Sequence, residues 1–486
     1  MNSTDHNART EQMEIDASAK WPVLFFFASA LAWLIIGGAL QLIAAIQLHT
    51  PAFLADCAWF THGRLAPAAQ NALVYGWGMN AAFAVGLWLM ARLSATTLRH
   101  GGWLFVAVKF WNLGVTLGVL GILGGYSTSY ELLEMPRFVP LILLVAYALI
   151  GVWAVTTFSI RNTENVFASQ WYLLGAMFWF PWLYAIAQVM LFKAPVRGVL
   201  QPVVNAWYVS GLYGLWFVPV ALAAAYYLLP KILGKPIANY YLAPLGFWWF
   251  AIATAFAGGS RLIGAPVPVW IPTLGTVANF LLVVPVVLIA LNLFGTLAGR
   301  YAALSGSVTL RFIFVSMLGF VVAAGLNLAF SLRGFAEIAQ FTLLADLRDW
   351  VMLYACFSTA MFGAAYFILP RLLEREWHSA VLVKAHFGAT VLGVAVLTVG
   401  LAAAGWQQGH LLQDAALPFG DITQAMTNWF ALRSAGLALL LIGHIAFLIN
   451  FAWIICPFNS SGSAPAQFRP PPVLPLSQGP AAEGHA

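Results

Sequence analysis

The sequence AWYVSGLYGLWFVPVALAAAYYLLPK, residues 206–231, runs for 25 residues without a charged side chain and then ends on Lys231. A helix needs about 20 apolar residues to cross the hydrocarbon core of a bilayer, so this segment is long enough to span a membrane. Similar segments recur along the whole chain, which is 62% hydrophobic and only 8% charged. Soluble globular domains do not have this composition, and the sequence therefore predicts an integral membrane protein.

Twelve apolar segments are long enough to cross a membrane as helices. They lie near residues 21–47, 68–95, 102–124, 138–160, 167–192, 202–229, 241–260, 271–299, 308–331, 349–370, 384–406 and 430–456. None of them shows the alternation that is typical of an outer-membrane barrel strand, and backbone groups in lipid must pair within their own segment. We therefore predict an all-α integral membrane fold of twelve transmembrane helices, with membrane lipid as an obligatory partner.

The chain divides into one membrane domain, residues 21–456, and two tails. Residues 1–20 are polar and are predicted to be a cytoplasmic tail, and the Pro-, Gly- and Ala-rich residues 457–486 a disordered tail. Of the 22 Lys and Arg residues, thirteen lie on the N-terminal side of the membrane, eight lie on the opposite side, and Lys109 lies inside a span. The positive-inside rule then puts both termini in the cytoplasm. The net charge of +6 reflects this topology, and nucleic acid is not an expected partner.

An aromatic residue precedes a basic one by four positions at the ends of the second, sixth and tenth spans. The pairs are Trp88 and Arg92 in WLMAR, Tyr227 and Lys231 in YLLPK, and Phe367 and Arg371 in FILPR. A single pair carries little information, because aromatic belts and cytoplasmic cations end many membrane helices. Recurrence at every fourth helix, with AAAYYLLPK matching GAAYFILPR, predicts three related arcs of four helices around a central site.

The chain resembles subunit I of the haem-copper oxygen reductases, in particular the cbb3-type cytochrome c oxidases and the related nitric oxide reductases. The similarity covers roughly residues 60–456. It rests on GRLAP at 63–67, the segment at 206–231, AGGSRL at 257–262, YFILPR at 366–371, AHFGAT at 385–390 and WQQG at 406–409. The resemblance implies twelve helices in three arcs, a bacterial-type inner membrane, and other respiratory-complex subunits, such as a cytochrome c-type subunit, as partners.

The resemblance also implies haem b and copper, held by six histidines, because neutral imidazole nitrogen suits iron and copper. Carried over residue by residue, all six positions have other residue types, and the tyrosine that accompanies copper falls on Thr254. Those positions are Ala69 for a haem, Ser210, Ser260 and Arg261 for copper, and Arg348 and Trp350 for the two haems. A guanidinium group has no lone pair for a metal, an indole N–H can only donate a hydrogen bond, and a methyl group has no polar atom at all. We therefore predict no catalytic residue, no metal ligand and no cofactor from the residues themselves.

Three histidines remain as candidates for holding a cofactor. His62 lies seven residues, two helical turns, before Ala69, while His386 enters the eleventh span and His444 lies in the middle of the twelfth. A polar side chain at such a depth is costly and usually faces the bundle, and for His444 we prefer a hydrogen bond to another helix over haem ligation. The remaining histidines are expected in solvated positions, with His410 in the loop after the eleventh span.

Three functions of different classes remain open. In the first, the chain is a respiratory-complex subunit that has lost its own redox centres and serves as an assembly or docking partner of a cofactor-bearing subunit. In the second, it is an active haem-copper oxygen or nitric oxide reductase with unorthodox ligands. In the third, it is a transporter that uses the emptied central cavity, where Arg261 and Arg348 would attract an anion.

Overall fold

The computed structural model of the chain describes residues 3–99 and 101–456, with side chains from Glu11 onward. Within these ranges, twelve helices are long and apolar enough to cross a membrane, which confirms the predicted number of spans. We number them α1 to α12. Their bounds are Ser3–His49, His62–Leu93, Gly101–Leu123, Val139–Ser159, Ala168–Lys193, Leu200–Leu233, Leu242–Leu262, Trp270–Leu297, Val308–Ser331, Leu343–Leu373, Ala380–Gln413 and Thr427–Ile455.

The first helix begins much earlier than its apolar sequence suggests, because a polar residue of the N-terminal segment has partners in the bundle. Asp16 accepts a hydrogen bond of 3.0 Å from the indole of Trp88 and pairs with Arg92 at 3.3 Å. This part of the predicted tail is therefore helix that packs on the end of α2. The predicted tail at residues 457–486 lies outside the described residues.

Helix α11 is also longer than predicted, starting at Ala380 and ending at Gln413. As a result, His410 lies in the last turn of α11, and its placement in a loop was wrong. His62 is the first residue of α2.

Three of the twelve helices form the centre of the bundle. In the most apolar 18-residue window of α2, α6 and α10, 100%, 94% and 100% of the residues are buried, whereas the corresponding fraction in the other helices is 33–56%. The outer helices therefore present one side to lipid, and the central three are enclosed by protein. These three are also the helices whose ends share the aromatic–basic sequence pair.

Each central helix contains a π-helical segment near its middle. The segments are Ala72–Gly78 in α2, Leu212–Phe217 in α6 and Val351–Ser358 in α10. The turn that ends each one is closed by a backbone hydrogen bond between residues five apart, as from Met79 N–H to the Val74 carbonyl. A π-helical turn widens the helix and is frequent at functional sites, so the three segments mark one level of the bundle as special.

The aromatic residues of the three sequence pairs meet at one end of the central helices, which we call the basic end. The ring centroids of Trp88 and Tyr227 are 5.6 Å apart, those of Trp88 and Phe367 6.1 Å, and those of Tyr227 and Phe367 6.3 Å. Arg92 stacks on Trp88 and Arg371 on Phe367. The repeated pair thus forms an aromatic cluster (Trp88, Tyr227 and Phe367) that closes the central helices at this end.

Candidate functional site

A buried ion cluster lies toward the end of the bundle opposite the basic end, where two of the predicted ligand positions carry arginine. Arg261 on α7 donates from both terminal nitrogens to the two carboxylate oxygens of Asp349 on α10. The Nε atom of Arg348 lies 3.6 Å from the same carboxylate, and its guanidinium stacks on Phe330 with 4.9 Å to the ring centroid. The side chains of the three charged residues are only 5–12% exposed. One carboxylate therefore holds two arginines and ties α7 to α10.

The two serines at the copper positions are close to backbone and amide groups of neighbouring helices. Ser260 donates to the Ala257 carbonyl at 2.9 Å and accepts from the side-chain amide of Asn279 on α8 at 3.0 Å. A methyl group on Gly275 would lie 2.1 Å from the Ser260 nitrogen, so α7 and α8 are in backbone contact here. Ser210 is half-buried and lines an apolar cavity of about 220 Å³ together with Thr254.

A second, polar cavity of about 390 Å³ lies at the end of the bundle opposite the basic end. Trp350 lines it and stacks on Tyr354, with 4.6 Å between ring centroids. Ala66 and Leu73 on α2 line it as well, one turn before and after Ala69, whose methyl group is fully buried. Of the three predicted haem positions, Trp350 thus lines this cavity, and Ala69 lies one turn from residues that do.

The arginines of the ion cluster do not line the polar cavity, whereas several acidic side chains do. Glu131, Asp346 and Asp349 contribute to its wall, together with Arg433, which pairs with Asp346 at 3.0 Å. Partial burial raises the pKa of Glu131, and the Asp349 carboxylate adds to that rise, while Arg261 and Arg348 oppose it. Asp346 and Asp349 are both paired with arginine, so the charges at this cavity largely compensate one another.

The histidine candidates fall into two places. His62 lines the polar cavity, and its Nδ1 lies 3.0 Å from the Ala44 carbonyl. His386 and His444 are both fully buried between α10, α11 and α12, with ring centroids 6.2 Å apart. His386 Nδ1 contacts the Tyr366 hydroxyl at 2.9 Å, but among the residues described neither nitrogen of His444 has a hydrogen-bond partner. The hydrogen bond that we preferred for His444 was therefore wrong.

The sequence analysis missed a buried carboxyl in the segment after α3. Glu134 accepts a hydrogen bond of 2.7 Å from the side-chain amide of Asn71 on α2, at the level of the hydrogen-bonded hydroxyls of Tyr75 and Tyr208. Burial raises the pKa of Glu134 to about 7, although the bond from Asn71 opposes the rise. The signal was available in the spacing of Glu131 and Glu134, two acids three residues apart in an apolar stretch.

Four of the six predicted ligand positions carry side chains that do not fit haem or copper. Ala69 has no donor atom, Trp350 is a stacked indole, and the guanidinium groups of Arg261 and Arg348 are held by Asp349. A guanidinium group has no lone pair for a metal and would repel a second cation.

Comparisons with known proteins give a consistent result. A sequence profile described as cytochrome c and quinol oxidase polypeptide I matches residues 22–439. The cbb3-type cytochrome c oxidase subunit CcoN1 of Stutzerimonas stutzeri is 23% identical, covering 90% of this chain and 93% of its own length. The cytochrome c oxidase subunit 1 homolog, bacteroid, of Bradyrhizobium diazoefficiens is 24% identical over 92% of this chain and 84% of its own.

A solved structure of a heme-copper terminal oxidase dimer has the same fold. Its TM-score with this chain is 0.68, with 12% sequence identity, covering 93% of this chain and 88% of the other. The expectation drawn from the motifs at 206–231 and 366–371 is therefore confirmed at the level of family. This chain belongs to the cytochrome c and quinol oxidase polypeptide I family.

Proposed function

We propose that this chain is a membrane subunit of a respiratory complex that keeps the oxidase scaffold and has lost its own haem and copper centres. Its role is to assemble with, or dock, a subunit that carries redox cofactors. In this proposal the twelve helices are arranged as three arcs of four, and both termini lie on the cytoplasmic side of a bacterial inner membrane. The bacterial relatives and the excess of basic residues on the N-terminal side support this setting.

The observation that carries the proposal is the ion pair between Arg261 and Asp349. The two residues of a buried ion pair depend on each other, because removal of one leaves the other as an uncompensated charge in a medium of low dielectric constant. Coordination of copper at position 261 would need a neutral donor, and Asp349 would then lack its counter-charge. The pair is therefore an alternative to the metal centre and is incompatible with it.

A docking role also agrees with the shape of the molecule. The scaffold is retained over its full width, with twelve helices and an enclosed centre, and the polar cavity opens between α1, α2, α10 and α12 away from the basic end. The partner that fits such a scaffold is a cofactor-bearing subunit, for example a cytochrome c-type protein, because it would supply the redox cofactors that the scaffold itself has lost.

Transport of a small solute is a second candidate, favoured by the polar cavity. Asp349 is paired with Arg261 and Arg348, and Asp346 with Arg433, so the cavity suits a small polar solute without a negative charge of its own. At the other end the three central helices are in contact through the aromatic cluster, so a solute would need this contact to open. Docking needs no such movement and is the function that we favour.

The experiment that tests the proposal is purification of the tagged full-length chain from its natural membrane, first with mild and then with dissociating detergent. We expect haem-bearing partners in the mild extract and no oxygen or nitric oxide consumption, with reduced cytochrome supplied, by the dissociated chain. Consumption by the isolated chain would overturn the proposal in favour of an active reductase. Flux of a neutral or cationic solute through vesicles containing the chain alone would favour transport.

A further inference from the structure

Two buried histidines outside the central site share one small cluster. His386 on α11 and His444 on α12 are fully buried, and their ring centroids are 6.2 Å apart. Phe447 stacks on His386 at 4.7 Å, and the centroid of Phe362 lies 5.5 Å from that of His444. The surrounding aromatic rings hold both imidazoles in place and exclude bulk solvent from them.

Four polar atoms of this cluster have no hydrogen-bond partner among the described residues. Within the described part of the chain, Nε2 of His386 and both ring nitrogens of His444 are buried without a hydrogen bond. The Thr390 hydroxyl, one turn after His386, is unpaired as well, and a methyl group on Gly443 would lie 3.3 Å from it. An unsatisfied buried polar group costs about 1–3 kcal/mol, so four in one place point to a bound species.

We propose that His386 and His444 bind a single monovalent copper ion between their rings. With a metal–nitrogen bond of about 2 Å, two imidazoles on opposite sides of one ion have centroids about 6 Å apart. The observed 6.2 Å agrees with the centroid separation of that arrangement. The interplanar angle of 69° is compatible with it, because a linear nitrogen–copper–nitrogen axis does not fix the angle between the two ring planes.

The choice of ion follows from the number of ligands and from the charge. Among the residues described, no group of three or more His, Cys, Asp and Glu that could hold a metal is present, so the ion must accept two imidazoles alone. Zinc takes four ligands as a rule, whereas d¹⁰ copper in its lower oxidation state accepts two in a line. A single charge also costs much less to bury than a double charge in a site without a carboxylate.

Tyr366 on α10 completes the site as a positioning residue. Its hydroxyl lies 2.9 Å from His386 Nδ1. When Nδ1–H donates to this oxygen, the lone pair is on Nε2, the nitrogen that has no protein partner. Metal-binding histidines commonly have such an outer partner, which fixes the tautomer and the orientation of the ring.

The test uses full-length protein with a tag free of histidine, loaded with monovalent copper under reducing, anaerobic conditions and then desalted. We expect about one copper per chain in the unchanged protein and background copper in His386→Gln and His444→Gln. Tyr366→Phe should weaken copper affinity about tenfold. His410→Ala is the matched control, since His410 is exposed on the same helix as His386 and should bind as the unchanged protein does.

X-ray absorption at the copper edge of the unchanged protein decides the question without any variant. We expect two nitrogen neighbours at about 2 Å with the outer-shell scattering of imidazole. Copper at background level in the unchanged protein, or zinc retained in preference to copper, would overturn the proposal and leave water as the partner of the nitrogens. Copper that persists in both histidine variants would instead indicate a metal site in the centre of the bundle, which would contradict the proposed function. Failure of the copper proposal alone is therefore distinguishable from failure of the proposed function.

Discussion

Arg261 on α7 and Asp349 on α10 are joined by a two-point ion pair in the interior of the bundle, and Arg348 lies against the same carboxylate. The cluster combines two positive charges with one negative charge, and the side chains of all three residues are largely buried. Its stability therefore depends on Asp349 more than on either arginine. Removal of the Asp349 carboxylate should therefore lower the stability of the protein more than removal of either arginine.

Replacement of Asp349 by Asn should destabilise the protein by about 3–5 kcal/mol, because it leaves two buried guanidinium groups without a counter-charge. Arg261→Leu combined with Asp349→Asn should cost less than the sum of the two single changes, since the pair is coupled. Thermal unfolding in detergent gives both values. Asp421→Asn, at an exposed position of the helix Phe419–Ala425, is the control and should have little effect. Additive losses would show that the two residues do not interact.

Gly275→Ala should separate α7 from α8. The added methyl group would lie 2.1 Å from the Ser260 nitrogen and 2.6 Å from the Gly259 carbonyl carbon, both of which are backbone atoms that cannot rotate away. We expect a loss of about 1–3 kcal/mol or more, as in other overpacked interiors. Gly388→Ala on α11 meets no atom within 4 Å and should be neutral or slightly stabilising. Equal melting temperatures of the two variants would contradict the close contact.

Trp88→Ala should remove the shared member of the aromatic cluster at the basic end. Trp88 is fully buried, contacts both Tyr227 and Phe367, and donates to Asp16. The expected loss is about 3–5 kcal/mol, seen as a lower melting temperature in detergent. Trp103→Ala removes the same side chain from a position that is 57% exposed and should change stability by less than about 0.5 kcal/mol.

Glu134 should make the stability of the protein depend on pH. Its pKa in the fold is raised from 4.5 to about 7, so the folded state holds the proton more tightly than the unfolded state does. Stability is therefore full below about pH 4.5, falls as pH rises toward 7, and is constant above that, with a total loss of about 3 kcal/mol. Melting temperatures at pH 5.5 and 8.0 measure the effect.

Glu134→Gln keeps an oxygen that accepts the hydrogen bond from Asn71 but has no charge to bury. This variant should melt at a higher temperature than the unchanged protein at pH 8.0 and show a flatter pH dependence. Glu337→Gln, on the separate helix Arg333–Ala339, should leave the pH profile of the unchanged protein in place. An unchanged profile in Glu134→Gln would mean that this carboxyl is already ionised in the fold at pH 5.5 and does not cause the pH dependence.

The sequence predicts the twelve helices of this fold well because each must bury its backbone groups in lipid, which leaves a long apolar signal. It also predicts that Trp88, Tyr227 and Phe367 are equivalent, and these three rings are in contact. Helix ends are predicted less well. Asp16 is polar in sequence but pairs with Arg92, so a helix continues where polarity suggested a tail.

The contacts within the centre could not be predicted in the same way. Arg261 and Asp349 are 88 residues apart, and nothing in their local sequence indicates that they pair with one another. The opposite error occurred at His444, where the cost of an unpaired imidazole led us to expect a hydrogen bond that the fold does not provide. Charge and polarity thus identified the residues that matter, while their partners depended on how distant helices pack.

The content of haem in the purified chain tests the central claim most directly. Acid–acetone extraction and a pyridine haemochrome spectrum of the dissociated full-length protein give moles of haem per mole of chain, independent of any partner. Because Ala69, Arg348 and Trp350 offer iron no lone pair, we predict haem at background level and no Soret band. One or two haems b per chain, with the spectrum of imidazole-ligated iron, would contradict the loss of the redox centres.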